Sequence, residues 1–226
     1  MFFCAPDLYP ELVPHKVGRI IVEARKMNIL AIDTTSNLGS IAITDGDRVI
    51  EEVVLQAGDG YDHVLFGEIE SLLVRNNLRL LDIDVFASAS GPGTFTGVRV
   101  GLAAVKGLAE ALSRKVVAVS NLRAMAAFGT GERRAPWIDA RRGDIYGAVY
   151  SSSLELVQEE VVEKYDAWLA SLPADAEILS GARPLAGAIG KIAAREFTAG
   201  RAVDPVGVDA NYVRRADAEM LWKDVR

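Results

Sequence analysis

Short apolar runs and helical stripes alternate along the chain from residue 27 onward. Residues 28–33 (Asn-Ile-Leu-Ala-Ile-Asp) form an apolar run of strand length, which predicts a buried strand. Residues 39–44 alternate and predict a second strand; residues 48–55 predict a third. Asp45-Gly46-Asp47 between them reads as a hairpin turn, because Asp-Gly accepts positive φ. After a polar loop, a helix over about 63–75 places Leu65, Phe66, Ile69, Leu72 and Leu73 on one face. Residues 84–90 and 115–119 predict two further strands, and residues 121–128 a short helix capped by Ser120.

Between those last two strands lies the most distinctive stretch. Gly91, Pro92 and Gly93 make a tight turn, and Thr94 and Thr96 are candidate caps for the helix that follows to about Ser113. Val98, Leu102, Val105, Ala109 and Leu112 form one apolar stripe on that helix. Val100, Ala103, Ala104, Gly107 and Ala111 form a second, of mostly small residues. One buried face suffices for a surface helix. The second face is therefore expected to be covered by a helix of another molecule, with Gly97 and Gly101 continuing the small-residue spacing.

The second half repeats part of this plan. Residues 135–140 predict a strand ending in Ile138-Asp139, as residues 28–33 end in Ile32-Asp33. Residues 144–151 and 156–163 predict two more strands, residues 166–170 a short helix, 177–180 a strand and 185–195 a helix. A duplicated α/β lobe is the expectation, each lobe a mixed sheet with helices packed on it and the second lobe reduced. Paired lobes with an acid closing each first strand are the arrangement with which the actin, hexokinase and Hsp70 class holds nucleotide phosphates. Asp33, Thr34, Thr35 and Asp139 are the corresponding candidates here, as a degenerate phosphate loop.

The chain has 226 residues, half of them hydrophobic, and a formal charge of −6. The acidic balance argues against autonomous nucleic-acid binding, which draws affinity from neutralised phosphates. Local basic pairs remain at Arg133-Arg134, Arg141-Arg142 and Arg214-Arg215. A single cysteine, Cys4, excludes an internal disulfide and a cysteine zinc site, and a cytoplasmic location is expected. No apolar run approaches the ~20 residues needed to span a bilayer. Residues 1–26 mix prolines, acids and bases without a signal-peptide core, so they read as a dispensable extension before a start at Met27.

Four segments together resemble the TsaB (YeaZ) family: residues 30–35 (Leu-Ala-Ile-Asp-Thr-Thr), 90–101 (Ser-Gly-Pro-Gly-Thr-Phe-Thr-Gly-Val-Arg-Val-Gly), 139–146 (Asp-Ala-Arg-Arg-Gly-Asp-Ile-Tyr) and 211–219 (Asn-Tyr-Val-Arg-Arg-Ala-Asp-Ala-Glu). The glycine-turn motif is the specific one. The resemblance implies two actin-like, ribonuclease H-like lobes, 27–130 with the dimerisation helices and 131–226 smaller. It implies an accessory, non-catalytic subunit that activates the related TsaD protein, with the ATPase TsaE in a larger complex. That complex forms N6-threonylcarbamoyladenosine at position 37 of tRNAs reading codons that start with A. It further implies a homodimer when the chain is alone, tRNA contact only through the complex, and ATP or ADP only there. The pairing surface expected from the stripe and the resemblance comprises His63, Phe66 and Glu70 on the first helix, with Gly97, Val100, Ala103, Ala104, Gly107 and Ala111 on the second.

The residues present bear on three catalytic alternatives. Glycoprotease-like members carry two histidines one helical turn apart, the spacing that puts both on one face for a metal. Here His63 is followed four residues on by Gly67, and the other histidine is His15, so a metallopeptidase lacks its ligands. A phosphotransferase of the same fold needs a metal-bound nucleotide. Asp33 and Asp139 could serve magnesium, but Ser180-Gly181-Ala182-Arg183-Pro184 is a thin adenosine turn and only about 90 residues follow Ala135. Asp33 also has a simpler reading, as an acid capping its own turn. Ser88, Ser90 and Ser120 have no histidine in the second half to act as base, which removes a serine hydrolase. For the tail, Tyr212 and Val213 are expected to anchor on the core, and Arg214 and Arg215 to meet acids or phosphate.

Overall fold

A computed structural model describes residues 26–56, 58, 60–211 and 213. The N-terminal extension, all but Lys26, and the tail residues Tyr212, Arg214 and Arg215 lie outside the described residues.

The elements follow in the order β1 (Asn28–Asp33), β2 (Ser40–Asp45), β3 (Arg48–Val54), α1 (Leu65–Arg75), β4 (Val85–Ala89), α2 (Phe95–Leu112), β5 (Lys115–Val119) and α3 (Asn121–Ala126). The second half contributes β6 (Arg133–Arg141), β7 (Asp144–Ser151), β8 (Leu156–Lys164), α4 (Tyr165–Ser171), β9 (Ala176–Leu179) and α5 (Ala186–Thr198). The helix expected over 63–75 begins with a separate 3-10 turn, Tyr61–His63. Ser120 caps α3 as expected, its Oγ accepting from the Leu122 N–H at 3.2 Å. At α2 the cap expectation is corrected: Thr94 holds the capping position without a side-chain cap bond, and Thr96 lies inside the first turn.

The first sheet has the order β3-β2-β1-β4-β5 and the second β8-β7-β6-β9. In both, the hairpin strands pair antiparallel and the fourth strand pairs parallel with the first. The duplication is thus real strand by strand, with β6 to β9 repeating β1 to β4. Among the described residues the second lobe has no counterpart of β5, and α5 follows β9 as α2 follows β4.

Alternation along the buried strands divides the first lobe into two layers. Leu30, Ile32, Ile41, Ile43 and Phe86 face α1 and α2, whose Leu65, Ile69, Leu72, Val98, Leu102 and Val105 complete that core. Ile29, Ala31, Ala42, Val85 and Ala87 face the opposite way, onto Ile189, Ile192 and Ala193 of α5. The expected division at residue 130 puts α5 with the second lobe, yet α5 packs on β1 to β5 of the first sheet. Conversely α3, from the first half, packs on β6 and β7. Each half lends its last helix to the other.

Polar clusters fix the crossings. The first N–H groups of α5 are capped from the neighbouring strands. Those of Leu185 and Ala186 donate to Ser40 Oγ at 3.2 and 3.0 Å, and that of Gly187 to Glu52 Oε1 at 3.0 Å. Glu160 on β8 accepts from Ser120, from Tyr150 Oη at 2.5 Å and from Asn211 Nδ2 at 2.6 Å, tying both lobes together. Burial, and then the Glu160 charge, push the Tyr150 phenol upward. Glu196 on α5 accepts from Arg201 and pairs with Arg123 of α3 at 2.8 Å, and these cations hold its carboxyl below the usual range.

Candidate functional site

A cleft of about 600 Å³ opens between the lobes. Its walls come from the β1–β2 loop (Thr35, Ser36, Asn37), the glycine turn with the start of α2, and the β6–β7 hairpin (Asp139, Arg141, Tyr146). Asn211 and Val213 close one side. A second hollow of about 320 Å³ adjoins it, lined by Asn121, Met125, Trp137, Arg183 and Leu185.

Asp33 and Asp139 end up in different surroundings. Asp33 is fully buried. Its Oδ1 accepts from the Thr35 N–H at 2.9 Å and from Thr35 Oγ1 at 2.6 Å, while Oδ2 is buried without a hydrogen-bond partner. Burial raises its pKa; the two Thr35 bonds oppose this and the nearby Glu52 charge adds to it. Asn121 Nδ2 then donates to Thr35 Oγ1, so the loop is pinned from α3 as well. Asp139 is exposed and lines the cleft, its Oδ1 accepting from the Arg141 N–H at 2.8 Å. Both acids thus bond the N–H two residues on, the Asx-turn geometry. No group of three side chains able to hold a metal occurs among the described residues.

Thr34 does not face the cleft. Its Oγ1 donates to the Gly97 carbonyl at 2.7 Å, and the Thr94 N–H donates to the Thr35 carbonyl at 2.8 Å. The glycine motif is what allows this contact. A Cβ on Gly97 would sit 2.0 Å from the Thr34 carbonyl oxygen, one on Gly93 2.6 Å from Thr35 Cβ, and one on Gly101 2.8 Å from Thr34 Oγ1. Gly91 turns the chain at φ 102° ahead of a cis Gly91-Pro92 bond. Gly97 and Ala104, expected on the partner face, are therefore corrected: both are buried, Gly97 because the helix presses onto the β1–β2 loop there.

The rest of the expected partner face is uncovered. Ala103, Gly107 and Ala111 are exposed and Val100 is half-buried, all on one side of α2. Nothing lies within 4 Å of a Cβ on Gly107. On α1, Phe66 (55% exposed), Glu70 and Val74 (68%) recur every four residues on the outer side. His63 is exposed beside Asp62, at 3.6 Å.

Some cleft residues were missed by sequence reasoning: Asn37, Phe95, Asn121, Tyr146 and Asn211. Asn121 had a local signal, a polar residue directly after a helix cap, and Phe95, Tyr146 and Asn211 lie within the segments that carry the family resemblance. Asn37 carries no signal of its own.

A family model described as TsaD, tRNA N6-adenosine threonylcarbamoyltransferase, matches residues 56–197, more than half of the chain. The chain belongs to this family. Within it the chain is of the TsaB (YeaZ) type, with an actin-like fold. The tRNA threonylcarbamoyladenosine biosynthesis protein TsaB of Bacillus subtilis (strain 168) is 35% identical over 140 residues, 61% of each chain. Its counterpart in Escherichia coli (strain K12) is 34% identical over 128 residues, 55% of each chain. The chain therefore spans less than two thirds of the length of these curated relatives. A Pseudomonas aeruginosa structure described as similar to peptidase YeaZ superposes with a TM-score of 0.71 at 25% identity, covering 83% of this chain and 100% of that one. The TsaD-family match takes in α1, α2 and the cleft-facing hairpin of the second lobe, so the outer helix pair lies within the region shared with threonylcarbamoyltransferases.

Proposed function

We propose that this chain is a non-catalytic subunit in the formation of N6-threonylcarbamoyladenosine at position 37 of tRNA. It would bind and activate a TsaD homologue through the outer faces of α1 and α2. The observation that carries this is the uncovered strip of Val100, Ala103, Gly107 and Ala111 on α2, together with the exposed Phe66 and Val74 on α1. Small residues at this spacing admit a second helix pair at close range. An interface of ordinary size there would remove about 800 Å² per side from water. A TsaD homologue offers a related helix pair, so the contact would be pseudo-symmetric, and a second copy of this chain would fit the same face in its absence. Helix pairing would then fix the catalytic subunit's lobe arrangement and shift it toward its active form. TsaE, ATP or ADP and tRNA would join only in the larger complex, in the cytoplasm.

Two local features support a passive cleft. Asp33 is engaged with Thr35 inside the core, and the α5 N–H groups that could meet a phosphate already bond Ser40 and Glu52. The size of the cleft favours the rival reading, a nucleotide-dependent phosphotransferase. Reconstitution with the cognate catalytic homologue, scoring modified adenosine with and without this chain, decides between them. Gly107→Arg is expected to abolish co-purification and stimulation at a melting temperature unchanged or raised. Stimulation intact in that variant, or turnover of Mg-ATP by this chain alone, would overturn the accessory role.

A further inference from the structure

Of the arginine pairs in the described chain, one is engaged and one is not. Arg133 pairs with Asp175 at 2.7 Å, and Arg134 donates to the carbonyls of Gly131 and Ala126. Arg141 and Arg142 sit at the tip of the β6–β7 hairpin, exposed, with no guanidinium partner among the described residues. The acids beside them are occupied: Asp139 accepts from the Arg141 backbone, and Asp144 pairs with Lys164 at 2.7 Å. Lys164 Nζ also donates to the Arg142 carbonyl at 3.0 Å, which ties the tip to the end of β8.

The backbone marks this tip further. Arg141 (φ 65°) and Arg142 (φ 56°) both take the left-handed conformation, followed by Gly143 (φ 77°). A two-residue hairpin of this kind favours Asn-Gly, and arginine is a costly occupant. Such backbone at an exposed tip is a pointer to function rather than to folding. Across the cleft mouth stands Phe95, 53% exposed, with the Arg99 guanidinium 3.4 Å from its ring centroid. Arg141 and Phe95 line the same cleft.

Guanidinium groups bind phosphate oxygens in bidentate fashion, and exposed aromatic rings take unpaired bases. We propose that the Arg141-Arg142 hairpin tip is an RNA contact of this chain, gripping backbone phosphates of an unpaired tRNA segment at the cleft mouth, with Phe95 as the facing wall. The proposal rests on the tRNA-modifying role above and departs from it in one respect: the chain touches tRNA directly once it is in the complex. With a net charge of −6 the chain does not capture tRNA by itself; the tip adds its contacts to those of the catalytic subunit.

The test uses the full chain bound to its catalytic homologue and measures tRNA binding between about 50 and 200 mM salt. Arg141→Asn with Arg142→Asn removes both cations and keeps a residue that tolerates the turn. The expected result is co-purification unchanged, melting temperature unchanged or raised, tRNA affinity down about tenfold, and the log–log salt slope shallower by about 2. Unchanged affinity and slope would overturn the proposal and leave the accessory role standing. Lost co-purification would make the tip a protein contact and overturn it too. A fall in Mg-ATP binding with tRNA binding intact would assign the arginines to a nucleotide instead. Failure of the unaltered chain to bind the homologue would refute the accessory role, a result separate from all of these.

Discussion

Helix α2 presents glycines on two sides. On one, Gly97 and Gly101 lie against the β1–β2 loop so closely that a Cβ would overlap Thr34. On the other, Gly107 faces open space, in line with Ala103 and Ala111. The residue types and the four-residue spacing are the same, and the roles are opposite. The first side brings the helix onto its own lobe and orders the cleft wall; the second is bare and fits a neighbouring molecule. Small residues at helical spacing therefore record that something comes close, and say nothing of whether it belongs to the same chain.

The sharpest way to break this comparison is to add one methyl group on the inner side. Gly97→Ala places Cβ 2.0 Å from a backbone oxygen, which cannot swing aside as a flexible side chain can. Overpacking of this kind costs about 3 kcal/mol, partly offset by about 1 kcal/mol of helix propensity. A net loss of about 2 kcal/mol lowers the melting temperature of a domain this size by about 4–8 °C. Differential scanning calorimetry checks it; a melting temperature as high as that of the unaltered chain would mean that α2 is not seated on the loop as described.

A smaller effect tests the loop itself. The folded state holds Asp33 above the ordinary carboxylate value, chiefly through burial. The folded protein then binds this proton more tightly than the unfolded chain does. The stability it contributes is full below the ordinary value of about 4 and is lost as pH rises through the folded value. Asp33→Asn keeps an oxygen for the Thr35 bonds and removes the charge. It is expected to stabilise on the order of 1 kcal/mol at pH 7 and to bring no gain near pH 3. Urea unfolding at the two pH values reads this directly; an Asn variant less stable at pH 7 would show that the charge is needed in the loop.

Much of the fold was legible because buried strands write themselves as short apolar runs or as alternation. β1, β5 and β7 coincide with their sequence expectations, and the repeated Ile-Asp at residues 32–33 and 138–139 announced the duplication. The four core positions Val98, Leu102, Val105 and Ala109 were likewise readable from helical spacing and are buried. Three features were not readable, for one reason: each depends on a contact between distant segments. Nothing near Gly187 in the sequence says that Ser40 and Glu52 will cap its helix. Nothing near Glu160 says that it will receive Ser120, Tyr150 and Asn211. The inward turn of Gly97 is visible only once Thr34 is opposite it. Of the site residues, Asp33 and Asp139 were found from the repeat, but their difference in burial belongs to the lobe packing.

The smallest prediction sharpens the comparison from the outer side. Gly107→Ala adds the methyl group that Gly97 cannot accept, at a helical position with no atom within 4 Å. The isolated chain should gain about 0.5–1 kcal/mol, since alanine loses less backbone entropy than glycine in a helix interior. If the outer face takes a second helix pair at close range, the same methyl group stands in that contact. Partner affinity should then fall even as the chain becomes more stable. Paired measurement of urea midpoint and partner binding separates the two: a gain in both would mean that no helix approaches Gly107, and the outer side of α2 would lose its claim to a partner.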